Sequence, residues 1–183
     1  MADSNVLMTI EQLIEAVQGS CICNCLSSAG FTSVATDSRK VQPGGLFVPL
    51  MGETQDGHSY IPKALEAGAS VILVDAAHGE GSASLFTNLA LQYSVCFVMV
   101  ANTLRALQDA ARMYVSFFPD LLKIGITGSS GKTTTKEITA AIFSQKYSVV
   151  MNEGNLSSET GLPLSVFRIR KTHQVGIFEL GMN

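Results

Sequence analysis

The N-terminal part of the chain alternates between short apolar segments of helical and of strand periodicity. A capping box at residues 9–12, apolar residues at helical spacing behind it and a closing Gly19 predict a first helix. The apolar run 46–50 predicts a short strand. Residues 60–67 predict a helix, because Pro62 stands near the start of the segment and a glycine follows its end.

The pattern continues with two further strands. The apolar run 71–75 predicts a buried strand, and residues 95–100 predict another. Between them, residues 76–84 are rich in Gly, Ser and Ala and predict a loop. Strands and helices in alternation with short connections are typical of an α/β domain, which we assign to residues 1–100.

A helix capped at Asn102-Thr103 opens a second unit, residues 101–183. The later segments predict an apolar strand 123–127, a helix from about residue 133 to 145, a strand 147–151, a short helix 162–167 and a strand ending at residue 179. Typical sheets hold about five or six strands, more than the three visible in this unit. We therefore expect the chain to be a fragment of a longer protein.

The connection between the first strand and helix of this second unit is rich in glycine and serine. Glycines let backbone amides turn towards an anion, and a helix N-terminus favours negative charge. This context predicts a phosphate-binding loop, with a lysine for the β- and γ-phosphates and a hydroxyl for the nucleotide's magnesium ion. The alternative is a turn that only joins strand to helix. The loop comprises Gly128, Ser129, Ser130, Gly131, Lys132, Thr133 and Thr134.

One glycine of the common phosphate-loop pattern is missing, because Ile126 stands at its position. A second signal lies in the apolar strand 175–180, which carries Glu179 near its C-terminal end. In parallel sheets ligands bind outside the carboxyl ends of the strands, where both this carboxylate and the loop would emerge. Glu179 is thus a candidate magnesium ligand or water-positioning base. The alternative is a strand-end residue turned to solvent.

Composition narrows the classes of function. The 183 residues are 46% hydrophobic and 15% charged, enough for one medium domain or two small ones. The net charge of -3, with Lys and Arg scattered, disfavours nucleic acid as a partner. No apolar run approaches the ~20 residues of a membrane helix, and the polar N-terminus has no export signal, so we expect a cytoplasmic protein.

A metal site built from cysteines is disfavoured. Cys21, Cys23 and Cys25 alternate, but their spacing matches no familiar zinc module, and a fourth ligand would have to come from elsewhere in the chain. We expect reduced cysteines packed as small apolar side chains. The other residues of ligand type, all dispersed along the sequence, are His58, His78, Cys96 and His173.

Four motifs in order give the chain a resemblance to the ATP-dependent Mur ligases of bacterial cell-wall synthesis. Residues 36–48 read Thr-Asp-Ser-Arg-Lys-Val-Gln-Pro-Gly-Gly-Leu-Phe-Val, and Gly52-Glu53 precedes Asp56-Gly57-His58. Residues 127–134 read Thr-Gly-Ser-Ser-Gly-Lys-Thr-Thr, and residues 179–183 read Glu-Leu-Gly-Met-Asn. The family's loop has the form T-G-x-x-G-K-T, so the isoleucine at position 126 fits it. The His58 turn is interpreted as structural.

The resemblance implies a small N-terminal α/β substrate domain that binds the UDP-sugar peptide, followed by a truncated P-loop parallel-sheet ATPase domain, with the C-terminal domain absent. It implies ATP and Mg²⁺ as cofactors and an acyl phosphate as the route to an amide. Within the family the chain is most similar to the ligase that joins D-alanyl-D-alanine to UDP-N-acetylmuramoyl-tripeptide. The ligase that adds the third amino acid is the alternative, and Ser157-Ser158 departs from the first pattern.

The resemblance also implies roles for individual residues. Lys132 and Glu179 would be catalytic, and Thr133 and Glu179 would hold magnesium. The residues implied to touch the UDP portion are Thr36, Ser38 and Arg39. The residues implied to meet the rest of the substrate are Asn155, Ser158, Glu159 and Thr160. Alternatively, Asp37 and Arg39 form a local turn pair and Asn155 forms a loop.

Two other classes of function remain open. A regulatory nucleotide switch would share the phosphate loop but has no need for the upstream motifs. A binding module would hold a UDP-sugar or ATP without turnover. We expect the isolated fragment to be inactive and the protein to be a monomer, although the sequence leaves its oligomeric state open.

Overall fold

The computed structural model describes residues 5–22, 30–52, 55–79, 81–154 and 156–181. The chain divides into two compact units, Met1–Ala110 and Ala111–Asn183. The sequence pattern predicts a boundary between residues 100 and 101. The observed boundary lies about ten residues later, inside the helix that follows residue 102.

The first unit is built on a five-stranded sheet in the order β1-β5-β4-β3-β2. Strands β2 to β5 are parallel and β1 is antiparallel to β5. The strands are β1 (Ser20–Cys21), β2 (Val34–Ala35), β3 (Leu46–Phe47), β4 (Val71–Asp75) and β5 (Cys96–Val100), and the helices are α1 (Ile10–Val17), α2 (Ile61–Glu66), α3 (Ala76–Gly79), α4 (Ala83–Tyr93) and α5 (Thr103–Ser116), which crosses the division.

Local sequence signals account for most of these elements. The predicted capping box is confirmed, since Thr9 Oγ1 accepts from Gln12 N at 3.2 Å and Gln12 Oε1 accepts from Thr9 N at 3.0 Å. Asn102 caps α5 by accepting the amide of Arg105 at 2.8 Å. The strand predicted at 46–50 ends early at Phe47, and Pro49 has no amide hydrogen to extend the ladder.

The loop predicted at 76–84 is wrong. The structure forms α3 directly after β4, and α4 begins at Ala83. The small residues that suggested a loop include several alanines, which favour helices. Helix α4 is then fixed by tertiary packing, since Phe86 and Ala90, four residues apart, are buried on one face. Phe86 packs against Phe97 of β5, with ring centroids 5.0 Å apart.

The core of the first unit lies against its three inner strands, β5, β4 and β3, whose side chains on that face are buried. Replacing Ile72, which has no exposed surface, by valine should reduce the free energy of unfolding by about 1 kcal/mol, because one buried methylene is lost. Denaturant unfolding of Ile72→Val measures this change. The matched control is Ile142→Val, where 64% of the residue is exposed, and a similar loss in the control would contradict the burial argument.

The second unit contains the three parallel strands that the sequence predicts, and the structure arranges them in the order β6-β8-β7. Its apolar core includes Ala140, Val175 and Ile177. The strands are β6 (Leu122–Ile126), β7 (Val149–Met151) and β8 (Val175–Glu179), and the helices besides α5 are α6 (Lys132–Phe143) and α7 (Gly161–Val166). Within the described parts of both units, no helix combines the length and apolarity needed to cross a bilayer.

Candidate functional site

The predicted phosphate loop connects β6 to α6 at the carboxyl end of the sheet. Gly131 is the N-cap of α6 with φ 72°, a left-handed conformation that favours glycine. A Cβ atom on Gly131 would meet nothing within 4 Å, so the backbone conformation rather than crowding requires glycine there. Ser129 and Ser130 are exposed at the tip of the loop. The N-terminus of α6, where the first amides of a helix have no partner within the helix, therefore lies at an exposed loop.

The functional side chains of the loop surround a cavity of about 280 Å³. Lys132 Nζ donates to Gly128 O at 2.7 Å, so the ammonium lies back across the loop. Thr133 Oγ1 donates to Glu179 Oε2 at 2.9 Å. The cavity is lined by Gly131, Lys132, Thr133, Thr134 and Glu179. The structure thus brings together residues that the sequence separates by nearly fifty positions.

Glu179 is held at the end of β8 by strand pairing and by hydrogen bonds to Asn152. It lies opposite Ile126, the last residue of β6, so strand register places it beside the start of the loop. Its backbone amide donates to Asn152 Oδ1 at 2.9 Å, and Asn152 Nδ2 donates to Glu179 O at 3.1 Å and to Leu156 O at 2.9 Å. Only 6% of Glu179 is exposed, so the alternative of a solvent-facing strand end is wrong.

Sequence reasoning gave no role to two buried polar residues behind this carboxylate. Lys136 is 1% exposed, and its Nζ lies 3.6 Å from Glu179 Oε2 and donates to Asn152 O at 2.9 Å. Asn152 is fully buried. One signal was present in the sequence: Lys136 follows Thr133 by three residues, which places both side chains on the same face of the helix.

The oxygen atoms at this site fit a magnesium ion. Mg²⁺ prefers hard oxygen ligands and is commonly bound by one or two protein oxygens together with phosphates. Thr133 Oγ1 and the Glu179 carboxylate supply such oxygens beside the loop. Among the contacts of the described residues, Glu179 Oε2 takes both side-chain partners and Oε1 takes none, which leaves Oε1 to a ligand.

The residues implied to touch UDP line a cleft of about 660 Å³ in the first unit. Ser38 is buried, whereas 85% of the Arg39 side chain is exposed. The cleft is lined by residues of two loops and α2, namely Thr36, Asp37, Ser38, Arg39, Leu50, Met51, Gly52, Gln55, Gly57, Tyr60 and Lys63.

The turn pair considered as an alternative for this motif is present. Asp37 Oδ2 lies 2.7 Å from Arg39 Nη2, and Asp37 Oδ1 accepts the amide of Arg39 at 3.0 Å. Side-chain and then backbone hydrogen bonds from Arg39 lower the pKa of Asp37 from 3.8 to about 2. The pair is therefore complete above the ordinary pKa and is lost only as the pH falls through about 2. Pairing orients Arg39 at the cleft without excluding ligand contact.

The residues implied to meet the rest of the substrate lie at the start of α7. Ser158 Oγ accepts the amide of Gly161 at 3.1 Å and lies 3.2 Å from Thr160 Oγ1. Glu159 is exposed beside them. Several predicted residues lie outside the described part of the chain, namely Cys23, Cys25, Glu53, Asn155, Met182 and Asn183.

Two of the histidines that are dispersed in the sequence stack in the structure, with His58 and His78 ring centroids 3.9 Å apart. Asp56 accepts from His58 Nδ1 at 2.8 Å and from His78 Nε2 at 2.6 Å. Partial burial disfavours the Asp56 carboxylate, but hydrogen bonds from the His58 amide and both rings outweigh it and lower its pKa.

These three residues have the types that bind metals, and their ligand atoms lie within 4.8 Å of one another. The hydrogen bonding argues against a metal site. The amide of Asp75 donates to His58 Nε2 at 3.1 Å, which fixes the proton of His58 on Nδ1. A neutral ring with that tautomer has no lone pair for a metal at Nδ1. The interpretation of His58 as a structural residue agrees with these contacts.

Cys96, distant from Cys21 in sequence, lies close to it in the structure, with the two sulfur atoms 3.4 Å apart. The two cysteines lie on the neighbouring strands β1 and β5. Strand β1 ends at Cys21, and the alternating Cys23 and Cys25 lie outside the described residues.

A loop that joins a parallel strand to a helix N-terminus, with a carboxylate at the end of the neighbouring strand, defines the phosphate-loop class of nucleotide-binding α/β proteins. Comparison with known families narrows this class. The profile described as Mur ligase family, catalytic domain, matches residues 30–115, and the profile described as Mur ligase middle domain matches residues 126–183. The chain belongs to the Mur ligase family.

Individual relatives agree with this family. The UDP-N-acetylmuramoyl-tripeptide–D-alanyl-D-alanine ligase of Treponema pallidum is 46% identical over 178 residues, covering 97% of this chain and 38% of the relative. A crystal structure of MurF from Acinetobacter baumannii matches with a TM-score of 0.80 and 30% identity, over 96% of this chain and 35% of that one. MurF ligase from Thermotoga maritima, in complex with ADP, matches with a TM-score of 0.62 and 31% identity, over 80% and 31% of the two chains. The chain therefore spans less than two fifths of the length of these relatives.

Proposed function

We propose that the protein to which this chain belongs is an ATP-dependent ligase that joins D-alanyl-D-alanine to UDP-N-acetylmuramoyl-tripeptide in the assembly of peptidoglycan precursors. The observation that carries this proposal is the 46% identity, over nearly the whole chain, to a relative named for that reaction. The phosphate loop and its paired Thr133 and Glu179 support an ATP-dependent step.

The reaction we propose has two steps. The γ-phosphoryl group of ATP passes to the terminal carboxylate of the tripeptide, which gives an acyl phosphate and ADP. The amine of D-alanyl-D-alanine then attacks the acyl carbon, loses a proton and expels inorganic phosphate. Positioning and charge neutralisation dominate phosphoryl transfer, so no protein nucleophile is needed.

In this proposal each residue of the second unit has a distinct task. The loop amides from Gly128 to Gly131 bind the phosphate oxygens, and Lys132 leaves the carbonyl of Gly128 to contact the β- and γ-phosphates. Thr133 and Glu179 hold Mg²⁺, which when bound neutralises charge on the phosphates. Ser158 and Thr160, at the start of α7, contact the sugar-peptide together with Glu159 and Asn155.

The first unit serves the other substrate. We assign residues 1–100 to a domain for the UDP-sugar peptide and residues 101–183 to the first part of the ATP-binding domain. Thr36, Ser38 and Arg39 bind the UDP portion in their cleft, where the guanidinium can pair with a diphosphate. The proposal includes action as a monomer in the cytoplasm, in support of cell shape and division.

Coupled phosphate release tests the proposed reaction. The protein in its full natural length is given ATP, Mg²⁺ and UDP-N-acetylmuramoyl-tripeptide, with and without D-alanyl-D-alanine. Release that requires the dipeptide is the expected result. Release that instead requires a single diamino acid and the shorter UDP-linked dipeptide would make the protein the ligase for the third amino acid. Binding of both nucleotides without release would favour a non-catalytic module.

A substitution in the cleft separates the two substrates. Arg39→Ala should raise the KM for the UDP-linked substrate by about tenfold, the scale of one charge-assisted contact, and leave the KM for ATP unchanged. Steady-state phosphate release with each substrate varied measures both constants. Lys40→Ala, which removes the exposed neighbouring cation, is the control. Equal effects of Arg39→Ala and Lys40→Ala would contradict a specific role for Arg39.

A further inference from the structure

Lys136 is a buried cation that the proposed reaction does not use. It lies on the face of α6 that carries Thr133 and is 1% exposed. Its ammonium lies 3.6 Å from Glu179 Oε2, and both side chains of this ion pair are buried. A hydrogen bond of 2.9 Å to Asn152 O fixes the ammonium in place. A buried lysine is rare unless it is paired, and here the pair includes the candidate metal ligand.

The charges around the cavity favour anions over cations. The carboxylate of Glu179 is balanced by Lys136 and by its hydrogen bond from Thr133. Lys132 and the N-terminus of α6 add positive charge on the same side. Mg²⁺ gives up its water shell reluctantly, and here it would meet a carboxylate already paired with a cation. The oxygens of a triphosphate replace the lost water ligands, and its negative charge offsets the repulsion between Mg²⁺ and the nearby ammonium.

We propose that Lys136 is an internal counter-ion of Glu179 that makes metal binding depend on nucleotide. While the loop is empty, the ammonium satisfies the carboxylate and keeps divalent cations weakly bound. When nucleotide binds, its phosphates supply the charge that allows metal to bind at Glu179. Linkage requires that metal then strengthens nucleotide binding by the same factor. The inference rests on the proposed binding of nucleotide and metal at this loop.

The test measures metal binding directly rather than turnover. Mn²⁺, a paramagnetic substitute for Mg²⁺, is titrated into the full-length protein and followed by electron paramagnetic resonance, with and without a non-hydrolysable ATP analogue. Lys136→Gln removes the charge but retains an amide donor for Asn152 O, and Lys136→Met removes both. Lys136→Arg keeps the charge. The matched control is Lys146→Gln, which removes the charge of an exposed lysine just beyond the end of α6.

We expect Lys136→Gln and Lys136→Met to bind Mn²⁺ without nucleotide at least about tenfold more tightly than wild type, because a full charge a few ångströms away is removed. In these two variants, the factor by which the ATP analogue increases Mn²⁺ affinity should fall by the same amount. Lys136→Arg and Lys146→Gln should behave as wild type. A merely structural role predicts the opposite sign, since a disordered Glu179 would bind metal more weakly.

Each other outcome is informative. Unchanged or weaker Mn²⁺ binding by a folded Lys136→Gln overturns the inference. If neither neutral variant folds, wild-type protein that binds Mn²⁺ equally well with and without nucleotide also overturns it. Wild-type protein that binds no nucleotide at all overturns the proposed function and the inference with it, so the two failures are distinguishable.

Discussion

Replacing Lys132 by alanine should lower ATP-dependent phosphate release by about 10²- to 10³-fold, the usual effect of removing one preorganised donor from a developing anion. The ammonium is tethered to Gly128 O at 2.7 Å and needs only a small movement to contact phosphates bound in the loop. Steady-state kinetics of the full-length protein, with product identified by chromatography, measures the loss. The KM for the UDP-linked substrate should not change.

The control for this substitution is Lys146→Ala, which removes an exposed lysine three residues beyond the end of α6. It should retain wild-type turnover and melting temperature. A variant without Lys132 that turns over ATP at more than about a tenth of the wild-type rate would contradict the assignment of the loop.

Replacing Glu179 by glutamine should reduce turnover by a similar factor of about 10² to 10³. The amide keeps the volume of the carboxylate but loses the charge that holds Mg²⁺. It also leaves the ammonium of Lys136 buried without its counter-ion, so the melting temperature should fall as well. Turnover is therefore measured well below the melting temperature, over a range of Mg²⁺ concentrations.

Two comparisons distinguish metal binding from stability in this variant. Glu137→Gln, on the exposed face of α6, should change neither property. Combining Glu179→Gln with Lys136→Met should recover part of the stability, because the unpaired charge is gone, but none of the turnover. Recovery of turnover in the double variant would refute a role for Glu179 as a metal ligand.

The two proposed sites lie in separate units, and they are built differently. In the second unit the site is held by buried hydrogen bonds, with Asn152 fixing both the backbone of Glu179 and the ammonium of Lys136 through its own carbonyl. In the first unit Arg39 is exposed and is oriented by its pairing with Asp37. The proposed nucleotide site is thus preorganised, whereas the cleft proposed for UDP presents an adaptable side chain.

The sequence by itself determined the local elements and the chemistry of the loop. These features depend on residues only a few positions apart, so the sequence pattern alone predicts them. They are the capping box at Thr9, the apolar strands and the glycines of the phosphate loop. The position of Glu179 at the carboxyl end of a parallel strand could also be predicted, because parallel strands end at a common edge.

Only the tertiary structure decided which distant residues meet. Helix α3 and the first residues of α4 form where composition indicated a loop, and the rest of α4, which the pattern left unassigned, is held by packing of Phe86 against Phe97. The register between β6 and β8 places Glu179 beside the phosphate loop. The fold also buries Lys136 next to Glu179, so that the two side chains form an ion pair. A lysine in an amphipathic helix resembles any exposed lysine in sequence, and only the fold removes it from water and gives it a partner.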